Sequence, residues 1–266
     1  MNKMRSGFVL LLSLATSFSV MAQSDMDERK IRFGLFASPN FGWLKPNIPE
    51  FEKDGLQPRM GFGYGAMMDY KFSASPNYLL STGFNVTTNG GGMIEPWETV
   101  ITETDTSYRF LGTNDRTYRM QYVNVPILLK MRTGDVGYLS YFGAIGVDLG
   151  FRTRSRINNT YTWLGTSQLQ PEDEEDLDFS ANTNFMRMAL NLTLGAEYNL
   201  TGNTNLYLGA GFHNGFTNLF NGGVANRILD PAPDGTPALS VLNQVIPTQQ
   251  KKASTYYVSL DVGVFF

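Results

Sequence analysis

Histidine occurs once in the chain, at His213, so any Ser–His–Asp relay or Asp–His acid–base pair must be built on that imidazole. An inward-facing acid such as Asp148 could lie beside it. No recognisable nucleophile motif accompanies the pair, and a packed, hydrogen-bonded histidine is the plainer reading. Metal chemistry is equally unsupported. One imidazole cannot make a zinc cluster, and with no cysteine there is no thiolate site, disulfide framework or lipid anchor on an N-terminal Cys. No catalytic residue, cofactor or metal is expected.

Other charged residues could act as a group. Arg32, Arg59, Asp69, Lys71, Lys130, Asp148, Arg152, Arg187, Glu197 and Asp261 fall on the polar side of alternating segments. A separate acidic run, Glu172-Asp173-Glu174-Glu175-Asp176 with Asp178, could offer oxygen ligands to calcium or bridge phosphates through divalent ions. It lacks the spacing and the turn glycine of an EF-hand, so a solvated, mobile loop tip is the plainer expectation. Gly61, Gly63 and Gly65 alternate along a strand and do not open a helix, so they form no phosphate loop.

The elements that would position these groups show a period of two. Tyr256, Val258, Leu260, Val262, Val264 and Phe266 share one face, with Thr255, Tyr257, Ser259, Asp261 and Gly263 on the other. Segments 31–43, 59–72, 77–88, 138–152, 185–200 and 205–215 alternate in the same way. Segment 118–132 is less regular, because Pro126 has no amide hydrogen and demands a bulge or a local break in pairing.

A soluble sandwich and a membrane barrel can both hold such strands. The lengths favour the barrel, since a tilted crossing needs ~9–11 residues and sandwich strands average ~5–6. Connections alternate between tight turns (73–76, 133–135, 201–202) and long stretches (44–57, 89–117, 153–184, 216–253), as in barrels with short periplasmic turns and long outer loops. Glycine on the non-apolar faces suits a narrow lumen. Trp43, Tyr70, Tyr78, Tyr118, Tyr138 and Tyr198 fall near strand ends, where interfacial girdles form. The expected fold is all-β: an eight-stranded antiparallel up-and-down transmembrane β-barrel spanning 31–266.

Ahead of it, residues 1–22 read as a signal peptide, with Lys3 and Arg5 before an apolar stretch and Val20-Met21-Ala22 at the cleavage site. Residues 23–30 then form a short periplasmic segment. Removing Lys3 and Arg5 takes the formal net charge from −3 to −5, and mild acidity argues against nucleic acid as a partner.

The run Tyr122-Val123-Asn124-Val125-Pro126-Ile127-Leu128-Leu129-Lys130 resembles a strand of the Bacteroidetes outer-membrane barrel family labelled PorT-like or porin-family. Gly211-Phe212-His213-Asn214-Gly215-Phe216-Thr217-Asn218 resembles that family's seventh strand running into its loop, and Val264-Phe265-Phe266 resembles a strand end read by the barrel-assembly machinery. The resemblance implies an outer-membrane location in a Gram-negative bacterium. Because its named member is implicated in type IX secretion, it also implies a tie to secretion.

Inside such a barrel, Arg32, Asp69, Lys71, Lys130, Glu197 and Asp261 should form a layer near the periplasmic end. Arg59, Asp148, Arg152, Arg187 and His213 should form a second layer nearer the outside. Opposite signs within a layer should pair, plugging the lumen. The function expected is then non-enzymatic, an interaction or accessory role in an envelope or type IX secretion-type complex carried by loops or wall. A small-solute or ion porin is the alternative and an outer-membrane enzyme a distant one. Partners expected are outer-membrane lipid, lipopolysaccharide, the assembly machinery through Phe266, and envelope or secretion proteins. Apolar Ala238-Leu239-Ser240-Val241-Leu242 in the fourth loop could fold over the mouth.

Overall fold

A computed structural model describes residues 30–52, 57–72, 77–103, 106–163, 172–226 and 248–266. The expected export segment 1–22 and the apolar stretch 238–242 lie outside these residues.

Eight long strands make the wall: β1 (Ile31–Pro46), β2 (Arg59–Lys71), β3 (Tyr78–Glu103), β4 (Thr106–Arg132), β5 (Leu139–Trp163), β7 (Met186–Thr201), β8 (Thr204–Gly215) and β11 (Ala253–Phe265). Three short strands decorate it: β6 (Glu174–Asp178), β9 (Val224–Asn226) and β10 (Thr248–Gln250). Each long strand pairs antiparallel with its neighbour, and β1 pairs with β11 from Gly34↔Phe265 to Pro46↔Ala253, which closes the ring. The expected eight-stranded closed barrel is the observed one.

The period-two pattern produces an inside-out distribution. Leu35, Phe84, Leu194, Leu208 and Leu260 stand exposed on the outer wall, while Asp69, Lys130 and Glu197 are buried within. Water as the outer solvent would make that arrangement unstable; hydrocarbon makes it favourable. The lumen is tight enough that a Cβ on Gly65 would come 2.6 Å from the Asn85 Cβ. Only glycine fits there.

Two expected loops are instead mostly strand. β3 pairs with β4 from Tyr78↔Met131 out to Glu103↔Thr106, and β5 continues alongside to Gly112↔Trp163. The stretches 89–117 and 153–184 escaped a strand reading because, beyond the wall, neither face meets lipid and the apolar–polar alternation fades. β2 leaves β3 at Phe62↔Thr88, with one further bridge at Pro58↔Gly91. Beyond the level of Glu95 and Met93, which are buried at the mouth, β3, β4 and β5 rise together as a panel, roughly 25 Å long on β3 at ~3.3 Å per residue.

Candidate functional site

Near the short-turn end of the barrel, four strands each contribute one charge to a single cluster. Arg32 on β1 meets Asp69 on β2 at 2.8 Å and Glu197 on β7 at 2.9 Å. Lys130 on β4 meets the same two carboxylates at 2.8 and 2.5 Å. The Lys130 ammonium also lies 4.6 Å from the Phe142 ring centre and 4.7 Å from that of Phe265. Such burial is tolerable because every charge has an opposite partner and the rings offer their negative faces. Arg132, absent from the expected set, approaches Glu197 at 3.7 Å; its parity on β4, matching Lys130, was the signal for it. Lys71 takes no part in the cluster.

Asp261 departs from its expected layer. It accepts a hydrogen bond from Ser38 at 2.6 Å and lines a mid-barrel cavity of about 70 Å³. At this level His213 Nδ1 lies 2.7 Å from Asp148, which also accepts from Asn191 at 2.9 Å. The imidazole stacks on Tyr257 at 4.0 Å, and its Nε2 is 3.4 Å from Ser259 Oγ. The connectivity is that of a hydrolase relay, but both Ser259 and His213 are buried. A Cβ on Gly211 would come 2.5 Å from that hydroxyl. Ser259 does not line the adjoining cavity, which His213 does, so the arrangement suits a hydrogen-bonded wall histidine.

Arg187 lies over the Tyr122 ring at 4.4 Å and donates to Asn124 at 3.1 Å. It joins Asp148 and His213 at mid-height, whereas Arg59 and Arg152 stand apart from both clusters.

The long-loop end is closed by a group of residues that no sequence pattern had brought together. Leu44, Met93, Tyr118, Met120, Tyr122, Ile157, Leu219, Phe220 and Ala253 form a buried apolar disc, with Phe179 packed against it. Tyr118, expected in an outer girdle, therefore points inward. Across the disc, Lys251 pairs with Glu95, which also receives Arg116 at 2.9 Å and the Tyr118 hydroxyl. The Lys251 ammonium sits 4.2 Å from the Phe220 ring centre. Burial holds its pKa below the ordinary lysine range, against the opposing pull of Glu95. These contacts link positions distant in sequence, so only the folded barrel reveals them.

The model of the family described as outer membrane protein beta-barrel domain matches residues 21–221. The chain belongs to that family. This outer-membrane barrel matches none of the curated proteins compared with it. Among solved structures it is similar to Neisserial surface protein A (10% identity, TM-score 0.36, covering 88% of this chain and 95% of that one). It is also similar to OprG from Pseudomonas aeruginosa (11%, 0.36, 89% and 94%) and to the outer membrane protease OmpT from Escherichia coli (8%, 0.33, 92% and 98%).

In an outer-membrane barrel the long-loop end faces outward, which makes the panel of β3, β4 and β5 extracellular. The acidic run is solvent-exposed as expected, but Glu174–Asp178 pair with β5 as the short strand β6 instead of forming a loop tip. Arg119 and Arg156 are direct neighbours across β4 and β5, and like charges so placed repel. Asp176 relieves this by accepting from Arg119 at 2.8 Å and Arg154 at 3.3 Å, while its carbonyl takes Arg156 at 2.9 Å. Glu174 accepts from Asn159 and from the Tyr161 hydroxyl, both at 2.8 Å, and Asp178 accepts from the Ser180 amide. Glu174, Asp176 and Asp178 thus face separate partners, and among the described residues no group of carboxylates converges on a common ion.

Hydrogen bonds from Asn159 and Tyr161 hold Glu174 below the ordinary carboxylate range, and those from Ser180 do the same for Asp178. Depressed folded values mean that the contribution is present above the unfolded pKa, about 4, and is lost as pH falls through the folded ones. Hydrogen-exchange protection at the β6 amides, corrected for the intrinsic rate, should therefore fall as pH drops below about 4, while the β5–β7 ladder stays protected. Unchanged β6 protection at about pH 2 would remove these carboxylates from the account.

Proposed function

We propose that this protein is a non-enzymatic accessory component of the cell envelope, working through its extracellular panel and loops rather than through its lumen. The observation that carries this reading is the pair of seals, one ionic at the periplasmic end and one aromatic at the mouth. An axis stoppered twice leaves the outer rim as the working surface. The resemblance in the Tyr122–Lys130 and Gly211–Asn218 runs supports placing the chain among PorT-like barrels of the Bacteroidetes, with a type IX secretion-type complex as the assembly it serves.

The same proposal has residues 1–22 directing export and residues 23–30 remaining periplasmic. The assembly machinery reads the C-terminal Phe266, whose amide donates to the Phe33 carbonyl at 2.9 Å. Lipid and lipopolysaccharide contact the apolar wall.

Purified wild-type protein in planar bilayers should give no single-channel steps; regular steps would overturn the sealed-barrel reading. A photo-crosslinker at the exposed Thr160 on the panel should capture a specific envelope protein in the native membrane. Capture of lipid alone would count against an accessory role.

A further inference from the structure

Pro126 breaks its strand ladder in a definite way. β3 and β4 pair at Thr82↔Ile127 and again at Asn85↔Asn124 in one unbroken register, yet the two positions between make no pairs. On its other side Pro126 pairs normally with Asp148. The interruption thus falls on the side that the missing amide would have served. The Pro126 carbonyl instead accepts from the Thr82 hydroxyl at 2.7 Å. Opposite it, Gly83 has φ +150°, and a Cβ there would come 2.2 Å from the Ala66 carbonyl oxygen. Pro39 does the same between β1 and β11, where pairing stops after Ala37↔Val262 and resumes at Asn40↔Ser259.

The central cavity joins the two interruptions. Ser38 and Asp261 line it at one, Thr82 and Pro126 at the other. Ala66 and Thr82, of lipid-facing parity on their strands, also border the cavity, so it reaches the backbone of the wall at the interruption. Seals above and below close the axial routes, leaving the sides. The lining is rich in oxygen acceptors, and Asp261, 8% exposed, pairs with no cation among the described residues. Asp148 is already engaged by His213 and Asn191, and Arg187 by Asn124 and the Tyr122 ring. A cavity of about 70 Å³ has room for an ammonium and a short piece of chain.

We propose that the barrel wall has a lateral entrance between β3 and β4 at Gly83–Pro126, through which the cavity takes the ammonium head of a single-chain alkylamine from the bilayer. The head hydrogen-bonds to Asp261 and the chain trails through the gap into hydrocarbon. This goes beyond the accessory role and does not depend on it.

The test uses the full-length protein in phosphatidylcholine vesicles with a diazirine-bearing decylamine as probe. Labelling should be saturable, concentrated on Thr82–Phe84 and Val125–Pro126, and competed by decylamine but not by decanoate. Asp261→Asn should weaken it about tenfold, and Pro126→Val, which restores a ladder donor, should weaken it too. Thr82→Val, which removes the bond across the gap, should strengthen it. Heat-modifiable gel mobility verifies that each variant is folded. Labelling spread evenly around the wall, or unchanged in both the Asp261 and Pro126 variants, would overturn the entrance. Equal competition by decanoate would overturn the ammonium site. Labelling lost with Pro39→Val and kept with Pro126→Val would overturn the assignment to β3 and β4.

Discussion

Lys130→Met should destabilise the folded barrel by about 3–5 kcal/mol, the cost of leaving buried carboxylates without their cation. Asp69 and Glu197 are both essentially inaccessible, and Arg32, 16% exposed at its side chain, cannot neutralise the two alone. Urea unfolding from vesicles, followed by tryptophan fluorescence, should show a lowered midpoint with little change in slope. Replacing all four partners together with apolar residues of similar volume should cost far less, since an apolar core needs no charge balance. If the single variant unfolds like wild type, the cluster is hydrated and is no seal.

The second large effect is on conductance, and it is conditional. The ionic cluster and the aromatic disc lie one above the other along a single axis, so either suffices to block it. Phe220→Ala with Lys251→Ala opens only the mouth, and Lys130→Ala with Glu197→Ala opens only the base. Neither pair should conduct in planar bilayers. All four substitutions together should give resolvable single-channel steps, provided the protein still shows folded mobility on an unheated gel. Conductance from the mouth variant alone would show that the lower cluster is no barrier.

The strand-by-strand layout was legible because lipid enforces it. Wherever one face meets hydrocarbon, as along Tyr256–Phe266 or Met186–Leu200, alternation is unambiguous and inward parity follows by counting. That parity was enough to bring Arg32, Asp69, Lys130 and Glu197 to one level. It could not supply depth, because depth depends on how the strands are staggered around the ring, and Asp261 was accordingly placed a layer too low. The mouth was illegible for a different reason. Lys251 and Glu95 are far apart in sequence and follow no repeating pattern, and the disc they cover combines Tyr118 and Tyr122 of β4 with Phe179 and Phe220 from loops. The acidic run shows the same limit, since its partners Arg119, Arg154 and Arg156 sit on strands that only the extended panel places beside it.

The junction of β1 with β11 also bears on how the molecule comes together. The β3–β4 hairpin joins residues near in sequence and can zip from its tip, whereas Gly34 must find Phe265 across nearly the whole chain. Loop-closure entropy makes such a contact late and slow. Pro39 removes a donor from that last seam, so the final step of assembly depends most on the terminal residues. A chain shortened at either end would then stall as an open sheet with two bare edges, the form most prone to aggregate.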